Sequence, residues 1–535
     1  MMNAIKKYGA IILAFIMTAA VCLLFATRKQ GMFIDEIYTY GLANSWRSPY
    51  LSDLKGGTLS DQIFTREDIQ EYLTVGEDDR FAAGSVYYNQ TRDVHPPLYY
   101  WGINFVSSLF AGSCSKWIGL SFNIVFYLLT LFVLCKTVLL LPGSLDNAAA
   151  TAALYGVSVL GLSTVMMIRM YTLLTFFTVV FAYTVLKILR TPEKKPLYFL
   201  LTAVIFCGMM TQYYFVFYAF FTCLAFDIYA LIRKEYKVFF RFSLCAVLGA
   251  ALMFAAFPAS FRHLFVGNGQ VVGGSSVMEA LKDTALYAEH IRKFREANEK
   301  LKAVKYVCIA TLVCLAAFSW KLPAAVREKK IPFDAPVILL PAPVTFLTVA
   351  VISPVQEHRY IYNIAPIFVL GVSFLLGVLE NSIGRFKGEF FVKKTVVLAV
   401  AATALWFAKC MPPTSLFTEQ ADYDSIIAPY TDCPCVYVSD EFFAPLTQDL
   451  LQLAKFRDFL VVRDCASPAL AEYLGDAESA VLYIDTSKNW SSGFDAEETT
   501  ARFGESTGMA NCELLYTYDY EGSGGLSSAY LMKKF

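Results

Sequence analysis

Charged residues are scarce in this chain, and their scarcity excludes several classes of protein. Only 17% of the 535 residues are charged, 56% are hydrophobic, and the mean hydropathy is +0.49. A soluble globular domain carries about 25% charged residues, so this composition predicts an integral membrane protein. The 45 basic and 45 acidic residues cancel to a formal net charge of +0. The chain therefore lacks the basic excess that nucleic-acid binding requires.

Recognisable cofactor and metal motifs are also missing from the sequence. It contains no glycine-rich phosphate loop, and Cys433-Pro434-Cys435 has one residue too few for the usual redox or zinc spacing. Most of the 13 cysteines lie in apolar segments. Four others fall in the C-terminal segment, where an oxidising compartment would allow disulfides whose pairing the sequence leaves open: Cys433, Cys435, Cys465 and Cys512. The sequence therefore identifies no cofactor with certainty.

Long apolar segments are the main positive signal. A segment of about 20 apolar residues can cross the hydrocarbon core of a bilayer as one helix. The run 197–232 is too long for a single crossing, so we divide it at Thr211-Gln212-Tyr213. The sequence thus predicts about eleven spans, near residues 8–26, 117–141, 148–167, 171–190, 197–212, 213–232, 239–259, 303–320, 333–353, 360–380 and 392–410.

Clusters of Lys and Arg predict the orientation of these spans. Such clusters concentrate on the cytoplasmic side of membrane proteins. Here they lie at 187–195, 233–237, 321–330 and 385–394. With a cytoplasmic N-terminus, these loops share one side only if the short apolar stretch 98–112 lies at the membrane surface instead of crossing it.

This orientation predicts a multi-pass plasma-membrane protein with its polar loops outside the cytoplasm. The first domain would be a transmembrane domain at 1–410, which includes a long first external loop at 27–116. The second would be an extracytoplasmic domain at 411–535. In that second segment, short β-prone runs at 436–438, 459–462, 480–484, 513–516 and 529–532 alternate with helical segments. This pattern predicts a soluble α/β domain, and its lack of catalytic motifs favours a role in structure or in positioning an acceptor.

Asp35 and Glu36 stand out because they lie just beyond the first apolar span. An ionised carboxylate near hydrocarbon is energetically unfavourable, and ionisable residues that persist there mark functional sites. The sequence therefore predicts that these two acids take part in catalysis. They are also the candidates for a divalent metal ion, if the protein uses one.

Three further polar elements are expected on the same side of the membrane. The first loop ends in Asp93-Val94-His95-Pro96-Pro97, where two prolines fix the backbone. Arg169-Met170-Tyr171 joins two apolar segments, and Arg359-Tyr360 precedes another. Arginine binds phosphate oxygens bidentately and stays charged in any environment. Snorkelling to lipid headgroups is the alternative for each arginine alone, but two arginines on the side of an acid pair favour a binding site.

These elements occur in an order that resembles a known family. Asp35-Glu36, His95-Pro96-Pro97-Leu98-Tyr99-Tyr100, Arg169-Met170-Tyr171-Thr172-Leu173-Leu174 and Arg359-Tyr360 with Pro366 resemble the dolichyl-phosphate-mannose protein mannosyltransferase superfamily, in particular its bacterial relatives such as the aminoarabinose transferase of lipid A. The resemblance covers residues 1–380. It implies the GT-C glycosyltransferase fold, an external loop with juxtamembrane helices, and an enzyme that uses a polyprenyl-phosphate-linked sugar.

The resemblance also implies roles for the candidate residues. Asp35 would accept the proton of an acceptor hydroxyl as the sugar is transferred with inversion, and Glu36 would assist. One carboxylate suffices because a phosphate leaving group needs little protonation. The donor phosphate would be held by residues at helix ends, with supporting side chains around them: Arg169, Arg359 and His95, supported by Asp93, Tyr171 and Tyr360.

Two alternatives to this hexosyl- or pentosyltransferase remain. One is a multi-pass transporter or flippase of lipid-linked sugars, although such proteins usually contain an internal repeat and substrate residues within broken spans. The other is a polymerase or ligase of surface polysaccharide, which a large external loop late in the chain would favour; here the long loop follows the first span. The acceptor is left open as a lipid, a glycan or a protein.

Overall fold

A computed structural model describes residues 2–265, 302–317, 334–353, 358–383, 389–440, 443–487, 493–518 and 527–534. Most of the predicted outer loop at 260–302, the basic loop at 321–330 and part of the basic loop at 385–394 lie outside the described residues. The chain forms two compact units. Unit 1 comprises Met1–Thr27, Asp93–Tyr99 and Leu120–Thr414, and unit 2 comprises Arg28–Arg92, Tyr100–Gly119 and Ser415–Phe535. Most of the first loop therefore belongs with the C-terminal segment.

Helices make up most of unit 1, and unit 2 combines helices with a β-sheet. In chain order they are α1 (Met2–Arg28), α2 (Ile34–Asn44), α3 (Arg66–Leu73), α4 (Ala83–Arg92), α5 (Leu98–Leu109), α6 (Lys116–Val138), α7 (Leu145–Gly156), α8 (Val159–Met166), α9 (Tyr171–Arg190), α10 (Lys195–Thr211), α11 (Phe215–Ile232), α12 (Tyr236–Ala256), α13 (Ala259–Phe265), α14 (Lys302–Ala317), α15 (Pro336–Leu339), α16 (Pro341–Ile352), α17 (Ala365–Ile383), α18 (Glu389–Cys410), α19 (Gln420–Ile427), α20 (Phe443–Leu453), α21 (Pro468–Leu474) and α22 (Ala496–Thr507). Short 3₁₀ helices occupy Leu51–Lys55, Glu77–Asp79, His358–Ile364 and Ala428–Tyr430.

Within the described part of the chain, 6 helical segments are long and apolar enough to cross a bilayer. They are Lys7–Arg28, Lys116–Val138, Tyr171–Arg190, Phe215–Ile232, Tyr236–Ala256 and His358–Asn381. The sequence predicts a span at each of these places, and the chain is a multi-pass membrane protein. The total of eleven spans stays a prediction.

The span predicted at 148–167 is not one straight helix. It consists of α7 and α8, which are bent by 56° relative to each other. Ser158 causes the interruption by capping the second helix, since its hydroxyl accepts a hydrogen bond from Gly161 N at 3.1 Å. Tyr127 donates its hydroxyl to Tyr155 O at 2.8 Å, and the Ser158 hydroxyl donates to the same carbonyl at 2.8 Å, so this buried oxygen at the break is satisfied. The division predicted at Thr211-Gln212-Tyr213 is confirmed, because α10 ends at Thr211 and α11 begins at Phe215.

The apolar stretch 98–112 forms the 12-residue helix α5. At 1.5 Å per residue this helix is about 18 Å long, which is well short of the roughly 30 Å hydrocarbon core. Its length agrees with a helix that does not cross the membrane. Its position at the membrane surface stays a prediction.

The C-terminal segment contains the α/β domain that the sequence predicts. Five strands form where β-prone runs were found: β2 (Cys435–Val438), β3 (Asp458–Val462), β4 (Ser479–Asp485), β5 (Asn511–Tyr518) and β6 (Ser527–Lys533). The central strands β3, β2 and β4 are parallel. One face of the sheet packs its aliphatic side chains against α21 and α22. All thirteen cysteines are free thiols, including the four in this segment.

A sixth strand comes from the first loop. β1 (Gln62–Thr65) pairs antiparallel with β3, and the sheet has the order β1-β3-β2-β4-β6-β5. Arg66 strengthens this attachment, since its guanidinium donates to the Lys455 carbonyl at 2.7 Å. The sequence gives no indication of this strand, because it is only four residues long and its partner is far away in the chain.

Candidate active site

Asp93, His95 and Arg169 form a connected polar array in unit 1. His95 Nδ1 lies 2.7 Å from Asp93 Oδ2, and the His95 backbone N–H donates to the same oxygen at 3.2 Å. A carboxylate at Nδ1 keeps the proton on that nitrogen, so Nε2 of the neutral ring is the acceptor. Arg169 Nη2 lies 3.4 Å from His95 Nε2. The loop ending in Pro96-Pro97 thus aligns an acid, an imidazole and a guanidinium.

This array is largely shielded from water. Asp93 and Arg169 are both buried, with 9% and 4% of their surface exposed. Burial alone would raise the pKa of Asp93, but the nearby His95 and Arg169 outweigh it and hold the pKa of this carboxyl below its usual range. Asp93 is therefore ionised at neutral pH, and its negative charge compensates the buried guanidinium through the histidine.

A side chain that the sequence reading overlooked fixes the position of Arg169. Asn123, in the middle of α6, donates to the carbonyls of Val165 and Met167 at 3.0 and 2.8 Å, at the end of α8. Tyr99 in turn donates its hydroxyl to Asn123 Oδ1 at 3.2 Å. These hydrogen bonds connect the segment that follows the two prolines with the turn that carries Arg169. Asn123 lies inside an apolar run, where no motif marks it.

Tyrosine side chains connect the turn of Arg169 with the segment of Arg359. Tyr171 contacts Tyr360 edge to face, with 6.5 Å between the ring centroids. Tyr360 also stacks on Tyr214, with centroids 4.9 Å apart. The Arg359 guanidinium lies 5.6 Å from the centroid of the Tyr360 ring, within cation–π distance. The structure therefore brings together the two arginine-tyrosine elements that the sequence predicts to share a site.

A second histidine lies beside the tyrosine that precedes Tyr214. Tyr213 and His263 share a hydrogen bond of 3.0 Å between the hydroxyl and Nδ1. His263 is buried and also contacts Phe257 edge to face. The predicted site does not include this pair, because nothing in the local sequence connects the two residues.

Asp35 and Glu36 lie in unit 2, in the first turn of α2, and their surroundings differ. Glu36 is completely buried and forms an ion pair with Lys29, with Oε2 3.0 Å from Nζ. The same oxygen accepts the Phe33 backbone N–H at 2.7 Å, which caps the helix. Asp35 is only half-buried. The two acids thus lie in different environments, because adjacent residues of a helix point to different sides of it.

Lys29 is the central residue of this arrangement, and the sequence reading did not select it. Its side chain has no exposed surface, and its ammonium also donates to the Ser415 carbonyl at 2.6 Å. Burial lowers the pKa of Lys29, and the charge of Glu36 opposes that effect. Glu36 is thus engaged with a lysine. Among the described residues, no group of three or more His, Cys, Asp or Glu side chains is placed to hold a metal ion.

Comparison with known proteins gives structural likeness only. No protein-family model matches the chain, and no characterised protein sequence matches it. A solved structure of ArnT from Cupriavidus metallidurans in the apo state is similar over 96% of this chain and 97% of that one, with 12% sequence identity and a TM-score of 0.46. The chain is likewise similar to ArnT from Cupriavidus metallidurans bound to undecaprenyl phosphate, over 97% of each chain, with 12% identity and a TM-score of 0.47.

Proposed function

We propose that this chain is a membrane glycosyltransferase of the GT-C type. It takes a sugar from a polyprenyl-phosphate-linked donor and transfers it to a hydroxyl of a lipid, glycan or protein on the extracytoplasmic face. The observation that carries the proposal is the pair of arginine-tyrosine elements, which contact each other through Tyr171 and Tyr360. Two guanidiniums at the ends of apolar helices suit an anion whose tail lies in hydrocarbon, as the phosphate of a polyprenyl lipid does.

The Asp93–His95–Arg169 array suits a phosphate site in a specific way. A guanidinium has five N–H donors in a planar fork, and Nη2 of Arg169 lies 3.4 Å from His95 Nε2. The carboxylate of Asp93 orients the imidazole, and the imidazole orients the guanidinium. Arg169 is thus prepared to meet negative charge that develops on the leaving phosphate, a form of catalysis that needs no rearrangement during the reaction.

Asp35 supplies the general base in this proposal. Its carboxylate accepts the proton of the acceptor hydroxyl while that oxygen attacks the anomeric carbon from the face opposite the phosphate. The bond between the anomeric carbon and the phosphate oxygen breaks, and the polyprenyl phosphate leaves with the electron pair. The product has inverted configuration. Glu36, paired with Lys29, holds the first turn of α2 and so positions Asp35.

The test compares purified wild-type protein with Asp35→Asn, using a panel of polyprenyl-phosphate sugars and candidate acceptors. We expect transfer by the wild type and a loss of about 10²- to 10⁴-fold in the variant, the usual contribution of a general base. Asp78→Asn is the matched control, because this exposed acid lies in the same loop. Full activity of Asp35→Asn would remove Asp35 as the base.

The phosphate site is tested separately with Arg169→Lys and Arg359→Lys. Lysine keeps the charge but loses the planar fork, so we expect each variant to lose at least tenfold in kcat/KM for the donor. The exposed Arg463→Lys serves as the control. If no lipid-linked sugar is transferred but such lipids move across vesicles that contain the protein, the transporter reading replaces this one.

A further inference from the structure

Helix α20 of the C-terminal segment buries polar side chains that a surface helix of a soluble domain would expose to water. Between 1% and 3% of the surface is exposed in each of Thr447, Gln448, Asp449 and Gln452. Buried polar groups require hydrogen-bond partners, because a group left without one is unfavourable. Thr447 and Gln448 bond to α2, the helix whose first turn carries Asp35. Both helices belong to unit 2.

The amide of Gln448 binds the backbone on both sides of the residue that precedes α2. Its Oε1 accepts the Ile34 backbone N–H at 2.7 Å, and its Nε2 donates to the Met32 carbonyl at 3.0 Å. Nε2 also donates to the Tyr518 hydroxyl at 3.1 Å. Rotating the amide by 180° would place its oxygen against the Met32 carbonyl and its N–H groups against the Ile34 N–H. The contacts therefore allow only one orientation of this amide.

These hydrogen bonds fix the segment that leads directly to Asp35. The first N–H groups of a helix have no partner within it, and Ile34 is the first residue of α2. Gln448 provides an acceptor for that N–H from a position 414 residues later in the chain. Glu36 provides a second acceptor, since its carboxylate accepts the Phe33 N–H at 2.7 Å. The backbone is thus held at each of the three residues before Asp35.

The neighbouring residue of α20 contacts the face of α2 that carries Asp35. Thr447 donates its hydroxyl to the Tyr38 hydroxyl at 3.2 Å. Tyr38 lies three residues after Asp35 and therefore on the same face of the helix. Burial raises the pKa of the Tyr38 hydroxyl, and the negative charge of Asp35 raises it further. Two adjacent residues of α20 thus contact the chain before and after the candidate base.

We propose that Gln448 is a positioning residue for the general base, and that the C-terminal domain takes part in sugar transfer in this way. The inference rests on the proposed function, because it takes Asp35 as the base. Gln448 fixes the first turn of α2 and thereby the position of the Asp35 carboxylate. A reacting group displaced by about 1 Å can lose about 10²-fold in rate. The sequence favours a role for this domain in structure or in positioning an acceptor, whereas these contacts assign it the position of the base.

Steady-state kinetics of Gln448→Met test this role. Methionine has a similar length, but it neither accepts the Ile34 N–H nor donates to the Met32 carbonyl. We expect kcat for transfer to fall at least about tenfold. The KM for the lipid-linked donor should change less than about twofold, because the arginines assigned to the donor phosphate belong to unit 1.

Gln452→Met is the matched control for this variant. Gln452 lies one turn later on α20 and is buried to the same degree. Its Nε2 makes no hydrogen bond with any residue that the structure describes. The control should therefore leave both kcat and KM unchanged.

Gln448→Glu provides a second variant and a readout that depends on pH. A protonated carboxyl keeps an acceptor for the Ile34 N–H and a donor for the Met32 carbonyl, so it reproduces both hydrogen bonds. The ionised form instead places negative charge against the Met32 carbonyl. Since burial raises the pKa of a carboxyl, the kcat of this variant relative to the wild type should rise severalfold as the pH falls from about 8 to about 5.5. The same ratio for Gln448→Met should stay constant.

Hydrogen–deuterium exchange of the full-length protein measures the positioning without any activity. In Gln448→Met the Ile34 amide loses its acceptor, so a peptide that covers the start of α2 should exchange at least about fivefold faster than in the wild type. Peptides from the transmembrane helix α6 should exchange at the wild-type rate, and so should the start of α2 in Gln452→Met.

These measurements distinguish a failure of this inference from a failure of the proposed function. Unchanged exchange at the start of α2 in Gln448→Met, or a kcat equal to that of the wild type, would overturn the positioning role and leave Asp35 as the base. An equal loss of kcat in Gln452→Met would also overturn it, because any change in α20 would then have the same effect. If the proposed function fails, Asp35→Asn keeps full activity although the start of α2 exchanges faster in Gln448→Met.

Discussion

Breaking the ion pair between Lys29 and Glu36 should destabilise unit 2 far more than removing the pair altogether. The perturbations are Glu36→Gln, Lys29→Met and the double variant. In Glu36→Gln the helix cap at Phe33 N keeps an acceptor, but the ammonium of Lys29 is left buried without its counter-charge. In Lys29→Met the carboxylate is left buried in the same way.

The magnitude follows from the burial and the geometry. Both side chains have 0% exposed surface, and Nζ and Oε2 are 3.0 Å apart. Removing one partner of such a pair is unfavourable by about 3–5 kcal/mol, whereas replacing both with neutral groups of similar volume is nearly neutral. Unit 2 comprises about 200 residues, for which 1 kcal/mol shifts the melting temperature by about 2–4 °C. Each single variant should therefore lower the melting temperature by about 10 °C, and the double variant should recover most of that loss.

Thermal unfolding of the purified proteins, followed by circular dichroism, measures these shifts. Glu513→Gln/Lys533→Met is the matched control, because this ion pair also lies in unit 2 and its partners are exposed by 61% and 45%. Exposed pairs contribute little, so the control should melt with the wild type. If the two single effects simply add in the double variant, the side chains do not interact as a buried pair and the reasoning fails. The same variants assayed for transfer show whether the pair positions Asp35.

Three further predictions concern other parts of the molecule. Burial raises the pKa of Asp449 to about 7, so between about pH 4 and pH 7 this carboxyl is protonated in the folded state and ionised in the unfolded state. The free energy of unfolding should therefore fall by up to about 4 kcal/mol as the pH rises from about 4 to 7. Asp449→Asn should flatten that profile in urea melts. The pKa of Asp93 is lowered instead, so its ionised carboxyl stabilises the fold above about pH 4, and this stabilisation is lost as the pH falls further. Asp93→Asn should remove the resulting decrease of the melting temperature in acid. Gly41→Ala should destabilise the loop by about 1–3 kcal/mol, because the new Cβ would lie 2.1 Å from Cζ of the buried Tyr72, whereas Gly84→Ala meets nothing within 4 Å and should melt at or above the wild-type temperature.

The lengths of the apolar segments and the positions of the β-prone runs were enough to predict most of the architecture. Six predicted spans coincide with apolar helices, and five predicted strands form the C-terminal sheet. Both signals are local, because the apolar residues that indicate each helix or strand lie within that element itself. The break at Ser158 was missed because the run 148–167 is apolar throughout, and the cap that interrupts it is a single hydroxyl.

Contacts between distant segments could not be predicted in the same way. Asp93 and His95 are two residues apart, so their hydrogen bond was accessible to local reasoning, but the contact of Asn123 with the turn of Arg169 depends on how α6 packs. Lys29 was visible as a charge beside the acid pair. Its ion pair with Glu36 forms because the chain turns between α1 and α2, which no periodicity describes. The sequence therefore pointed to the acid pair and to the two arginines, but it did not single out Lys29 or Asn123 as their partners.

Strand β1, at the edge of the sheet, can pair only late in the synthesis of the protein. Its partner Val461 is synthesised about 400 residues after Gln62. At roughly 5–20 residues per second, the first loop waits for about 20–80 s before its strand can pair. During that time β1 is an unpaired edge, and such edges are prone to join other chains. The charged residues on each side of it, Asp61 and Arg66, are the kind that discourage such pairing. The first loop therefore reaches its final structure only after its partner strand β3 has been synthesised.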